Sequence, residues 1–191
     1  MTEFNNILDC INKRRSHRVY HDKNIPDTIL RAILHAALQA PFGGPPRPKC
    51  QIFEAIIIRD VSTKENLALN YDDRQFIRFA PVVIACCANK NNDPHYKEWT
   101  ISASLSIQNL ITAAEHYNIG SCFITCFLHH ENHDADKKNL RDILDLPEYV
   151  ELVGLISLGY KIETEDIIDK TMRDYDEVIF YEKYNYKRDM Q

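Results

Sequence analysis

Four short, almost uninterrupted apolar runs limit what this chain can fold into: residues 52–58 (IFEAIII), 82–88 (VVIACCA), 121–127 and 150–158. Each is rich in β-branched residues and none keeps the strict alternation of a strand with one wet face. Strands buried on both faces look like this, so the sheet they build is expected to carry helices on each side. The period alone leaves open whether its strands run parallel.

The helices that could cover such a sheet are visible between the runs. Residues 3–13 read as a short helix. From Asp27 to Gln39, Ile29, Leu30, Ile33, Leu34, Ala37 and Leu38 recur at helical spacing, after Pro26 and before a stop at Pro41. Residues 99–117 give the longest helix. Its Ile101, Leu105, Ile107, Leu110, Ile111 and Ala114 cover much of the circumference, with Ser102, Ser104 and Ser106 between them. A helix apolar nearly all round is expected to be buried, here against a second subunit. A further helix is expected from about Asp134 to Leu144, ended by Pro147. The order of elements after residue 50 allows a three-layer α/β/α sandwich in a single domain of 191 residues, 45% of them hydrophobic.

Composition removes several classes of function. A net charge of −5 lacks the basic excess of a nucleic-acid binder, although a few arginines in one pocket can hold one phosphate whatever the global charge. With five glycines, and neither GxGxxG nor GxxxxGK[ST], the usual dinucleotide and P-loop readings fall away. The first residues, MTEFNNILDC, have no cationic start followed by an apolar run, and no apolar stretch reaches the roughly 18 residues a bilayer requires. The chain is expected to be cytoplasmic, without membrane or nucleic-acid partners. None of the six cysteines forms a CxxC pair, so free thiols are expected.

Two constellations could carry chemistry. Arg14-Arg15-Ser16-His17-Arg18 places three guanidiniums and a hydroxyl within five residues at a helix end, a set of fork-like donors suited to phosphate. The same residues could instead form a solvated basic face or satisfy the last carbonyls of the preceding helix. Ala40-Pro41-Phe42-Gly43-Gly44-Pro45-Pro46-Arg47-Pro48 is a loop whose rigid and permissive residues would let backbone approach a flat ligand; it could equally be a plain connector.

Together these motifs resemble the nitroreductase family of FMN proteins, from about residue 10 to residue 181. The family's RRSxR is similar to Arg14–Arg18, and its Ala-Pro-Ser-[Ala/Gly]-Gly-Asn-x-Gln-Pro-Trp loop to residues 40–49. Its long helix resembles residues 104–122, SLSIQNLITAAEHYNIGSC, and its late LGYP strand end resembles Leu158-Gly159-Tyr160-Lys161. Its R-x-P-L-E-E-V-V tail is similar to the stretch beginning Arg173-Asp174-Tyr175.

The resemblance implies an α+β fold, a three-layer α/β/α sandwich with a mixed, mainly antiparallel sheet. It implies FMN, with Arg14, Arg15, Ser16 and Arg18 around the phosphate and ribityl chain, and Arg173, with Lys170, completing the cage. Pro41, Phe42 and Gly43 would lie along the flavin, reaching that of a partner subunit. Phe123, Ile124, Thr125 and Cys126 would pass beside the ring, a backbone N–H donating toward N5, and Gln75 would reach its pyrimidine edge. It also implies a homodimer, with residues 174–191 as an arm on the partner. Pro45, Arg47 and Lys49 depart from the family's Asn, Gln and Trp, and Phe42 from a small hydroxyl residue, on the substrate side of the pocket.

The expected activity is hydride transfer from NADH or NADPH through flavin N5 to a small-molecule acceptor (a nitroaromatic, quinone or flavin) in ping-pong order, with no side chain needed as acid or base. The alternative is a flavin-binding redox sensor or specialised flavin-processing protein. His129, His130 and His133 lack a complete metal-ligand spacing, and no metal is expected there.

Overall fold

The computed structural model describes residues 6–42, 51–71, 73–92, 99–126, 139–162 and 168–184. In chain order the elements are α1 (Ile7–Lys13), α2 (Asp27–Leu38), β1 (Phe53–Ile58), α3 (Val61–Ala68), β2 (Val82–Asn89), α4 (Trp99–His116), β3 (Ile119–Thr125) and β4 (Val150–Tyr160). A 3₁₀ turn, Gln75–Phe79, precedes β2, residues 139–143 are helical, and a four-residue helical turn occupies Tyr175–Val178.

The strands form one sheet in the order β1-β2-β4-β3, every neighbouring pair antiparallel. The mixed character lies at its margin, where Ser16 makes an isolated parallel bridge to Ser121. Between Cys86 and Cys87 the β2–β4 register slips, Gly154 facing Cys86 and Leu152 facing Cys87. Alternation along the central strands then feeds two cores. Val82, Ile84, Cys86 and Ala88 join Ile156 and Leu158 beneath α2 and α4. Val83, Ala85 and Cys87 join Leu152 and Leu155 on the opposite side, covered by α3, the 3₁₀ turn and residues 140–146. The expected three-layer sandwich is realised, and residues such as Leu152, Leu155 and Ile156 are fully enclosed.

Local chemistry explains the helix limits. Asn6 caps α1 by accepting the Asp9 N–H at 3.0 Å. Helix α2 ends at Gln39, whose N–H returns to Ala36 and Ala37. Helix α3 leaves little trace in the sequence, because VSTKENLA has too few apolar residues for a helical period. Its signal is the cap: Asp60 accepts from Thr63 N–H at 2.7 Å and from the Ser62 and Thr63 hydroxyls at 2.8 Å each. Those bonds, the Thr63 N–H foremost, lower the Asp60 carboxyl to about 2.

Two strands depart from expectation. β1 has the composition of a central strand but lies on the edge, leaving Glu54 and Ile57 exposed. β3 begins two residues earlier than expected, since Asn118 takes a left-handed turn (φ 56°) that swings the chain straight out of α4 into the sheet. The described cysteines, Cys10, Cys86, Cys87, Cys122 and Cys126, are all buried. Among the described residues no helix is long and apolar enough to cross a membrane.

Candidate functional site

The basic segment after α1 is extended and lies against the end of the sheet. The His17 N–H donates to the Ser121 carbonyl at 3.0 Å, and the His21 N–H to Tyr160 at 3.0 Å. Since the Ser121 carbonyl points outward to this segment, strand alternation directs the backbone N–H groups of Phe123 and Thr125 to the same outer edge. Ile124 faces β4 and is buried, whereas Phe123 is exposed and Thr125 half-buried. The Cys126 N–H, in the inward register, bonds to Val153 at 3.2 Å.

Arg15 bridges distant parts of the chain. Its Nε and one terminal nitrogen approach Asp169 Oδ1 at 3.2 and 3.0 Å, while the other terminal nitrogen donates to the Asn12 and Arg14 carbonyls at 2.8 and 3.1 Å. Lys170 Nζ reaches the Ile11 and Asn12 carbonyls at 2.8 and 3.4 Å. Both cations therefore serve the carboxyl end of α1, where the helix dipole favours positive charge. Capping does not exhaust them. Partial desolvation, then the neighbouring charges of Arg14 and Arg15, push the Lys170 ammonium below its ordinary range, against the pull of Glu115. Three cations thus crowd one place, two from residues 14–15 and one from residue 170.

Beneath them lies an ion pair absent from the sequence reading. Glu115, buried near the end of α4, meets Lys161 Nζ at 2.5 Å just past β4. Arg18 bonds the Ser16 carbonyl at 3.3 Å and places its guanidinium 5.8 Å from the Phe76 ring centroid. Ser16 is half-buried at the parallel bridge.

The remaining candidates are more scattered. Gln75 is held locally, its amide donating to the Ala68 and Tyr71 carbonyls at 3.1 and 2.5 Å and its oxygen accepting from Arg78. Arg173 is exposed and faces Glu177 at 3.5 Å along the last turn. Pro41 is exposed and Phe42 half-buried beyond α2. Gly43, Pro45, Arg47, Lys49 and His129–His133 lie outside the described residues. The single chain thus brings Arg14, Arg15 and Lys170 together at one end of β3, and leaves Gln75 and Arg173 with other partners.

A second feature is a cleft of about 840 Å³ between α1, α2 and α4, lined by Ile7, Ile11, Ala36, Gln108, Thr112 and His116 among others. Beside it Ile7, Leu8, Ile101 and Leu105 are exposed, and so are Ile168, Met172, Tyr175 and Tyr184 of the last segment.

The chain as a whole is similar to known proteins. The model of the nitroreductase family matches residues 11–70 and 59–160. An Archaeoglobus fulgidus protein provisionally named NADH dehydrogenase/NAD(P)H nitroreductase is 29% identical over 178 residues, 93% of this chain and 98% of that protein. The solved structure of an FMN-dependent nitroreductase from Clostridium difficile superposes with a TM-score of 0.77 at 25% identity, covering 93% of this chain and 99% of the other. An NADPH:FMN oxidoreductase from Vibrio harveyi, solved with NAD+, has the same fold at 18% identity, with a TM-score of 0.76 over 96% of this chain and 80% of its own.

Proposed function

The chain belongs to the nitroreductase family, and from that premise we propose that it is an FMN-dependent NAD(P)H oxidoreductase acting as a homodimer. The observation that carries the proposal is the meeting of Arg15 and Lys170 on the Asn12 carbonyl, with Arg14 next in the chain, a group of cations whose mutual repulsion a phosphate dianion would relieve. These residues, with Ser16 and Arg18, would hold the FMN phosphate, and Arg173 would join them from the last segment. The outer-edge N–H groups of Phe123 and Thr125 would lie beside the ring, with Ile124 behind them and Pro41, Phe42 and Gly43 approaching from the partner. Gln75 would meet the ring edge only by giving up its present carbonyl partners.

Bound there, FMN would accept hydride at N5 from NADH or NADPH and pass electrons to a nitroaromatic, quinone or free flavin in ping-pong order. The chain's own task is binding, orientation and exclusion of water. No side chain is assigned as acid or base.

The homodimer is supported by the exposed Ile101 and Leu105 on α4, continuous along one helix face with the cleft residues Gln108 and Thr112. Residues 174–191 would be an arm on the partner, within a single domain spanning 1–191. A tyrosine- and isoleucine-bearing segment left this exposed on one chain gains most by covering another. The supply of reduced nicotinamide suits the cytoplasm.

The test is anaerobic stopped-flow on the purified chain. The expected result is bound flavin, bleached by NADH or NADPH and restored by a nitroaromatic or quinone. A colourless protein that takes up no added FMN would overturn the proposal. Bleaching that no acceptor reverses would leave a redox sensor in its place.

A further inference from the structure

We propose that Tyr20 is a positioning residue for phosphate recognition, its hydroxyl fixing the backbone from which Arg14, Arg15, Ser16 and Arg18 reach the anion. This rests on reading residues 14–18 as the phosphate segment. That segment belongs to no helix or ladder strand, so its shape depends on individual pins. Two are backbone bridges, Ser16 to Ser121 and Tyr20 to Lys161. Between them the His17 carbonyl, within the basic run, accepts a short hydrogen bond from Tyr20 Oη.

A phenol has one proton to give. With that proton on the His17 carbonyl, Tyr20 Oη accepts from Ser157 Oγ, 2.7 Å away inside β4. Ser157 is fully buried, so the relay runs from the sheet interior through the tyrosine to the basic segment.

The ring is seated as firmly as the hydroxyl. A Cβ on Gly159 would come within 2.5 Å of Tyr20 Cγ, so the phenol occupies space that only glycine leaves. His17 is likewise pressed onto Gly120, where a Cβ would lie 2.9 Å from its own. A segment pinned in this way presents its guanidiniums already ordered, and anion binding then costs less conformational entropy. Nothing in the chemistry of a lone tyrosine after Arg18 announces this role; it exists because residues 17, 20 and 157 meet.

The experiment uses the full chain stripped of flavin and titrated separately with FMN and riboflavin, read by quenching of flavin fluorescence. Riboflavin has the ring and ribityl chain but no phosphate. Tyr20→Phe keeps the ring in its seat and should weaken FMN about tenfold, while riboflavin changes less than about twofold, a selectivity that general loosening of the fold would not produce. Ser157→Ala should shift the same ratio by a smaller factor, and decides the matter alone if Tyr20→Phe does not fold. Equal weakening of both flavins, or undiminished FMN binding, overturns the proposal. A wild-type chain that binds riboflavin as tightly as FMN overturns instead the phosphate assignment beneath it, and shows this before any variant is made.

Discussion

Replacing Gly159 with alanine should be among the costliest single-methyl changes in this protein, and the cost should run through Tyr20. The added Cβ would lie 2.5, 2.6 and 2.7 Å from Tyr20 Cγ, Cβ and Cδ1. Carbon atoms settle at about 3.5–4.0 Å, so the ring must retreat by about 1 Å. Overpacking of that kind costs about 1–3 kcal/mol. The retreat also stretches the hydroxyl away from the His17 carbonyl and Ser157 Oγ, bonds worth about 1 kcal/mol each. The expected loss is therefore about 2–5 kcal/mol in urea unfolding. It should be measured without flavin and at one protein concentration, because ligand and subunit association both shift apparent stability. A double-mutant cycle supplies the control. In a Tyr20→Gly background, which removes the Cβ together with the ring, the seat is vacant, and Gly159→Ala should cost less than about 1 kcal/mol. The reasoning is refuted if the alanine costs as much there as in the wild type, or if the wild type barely registers it.

Arg14→Ala and Arg173→Ala should each lose flavin on dialysis, by about 1.5–3 kcal/mol of charge-assisted bonding, whereas Arg59→Ala, which removes a surface pair with Asp27, should retain it; flavin content equal in all three would remove the phosphate assignment. Burial, reinforced by Glu54 and Cys126, pushes the Cys87 thiol up to about 12, so the folded thiol stays protonated while the unfolded one ionises above about 9. The stability this contributes is whole below pH 9 and is lost as pH rises toward 12, about 2 kcal/mol by pH 10.5. The difference in unfolding free energy between wild type and Cys87→Ala should shrink accordingly, and a difference that stays flat from pH 8 to 10.5 contradicts it. Leu105→Glu on the exposed face of α4 should yield monomer in sedimentation and abolish the concentration dependence of unfolding, unless that face is not the interface.

Much of this is legible in the sequence. Helix α2 announced itself because Leu30, Ile33 and Ala37 repeat at the spacing that puts them on one face, and Pro41 marked where it must stop. The strands at 82–88 and 150–158 were readable because a strand buried on both sides has little choice of residue. The basic run at 14–18 was conspicuous, and so were both of its possible uses; the structure shows Arg15 satisfying helix carbonyls while still contributing to a cation cluster. By contrast α3 was hidden, since its cap at Asp60 carries a signal that its sparse apolar residues do not.

The sequence by itself determined most of the elements, the layers and the family, because each rests on a local period or an ordered set of short motifs. The tertiary structure decided what those elements do to one another. The antiparallel order β1-β2-β4-β3 and the exposed position of β1 follow from pairings between residues far apart in the chain. So do the approach of Lys170 to Arg14 and Arg15, the burial of Glu115 against Lys161, and the seating of Tyr20 on Gly159. Such contacts leave no periodic trace, since either partner alone is an ordinary residue. Their chemistry begins only when folding removes the water between them.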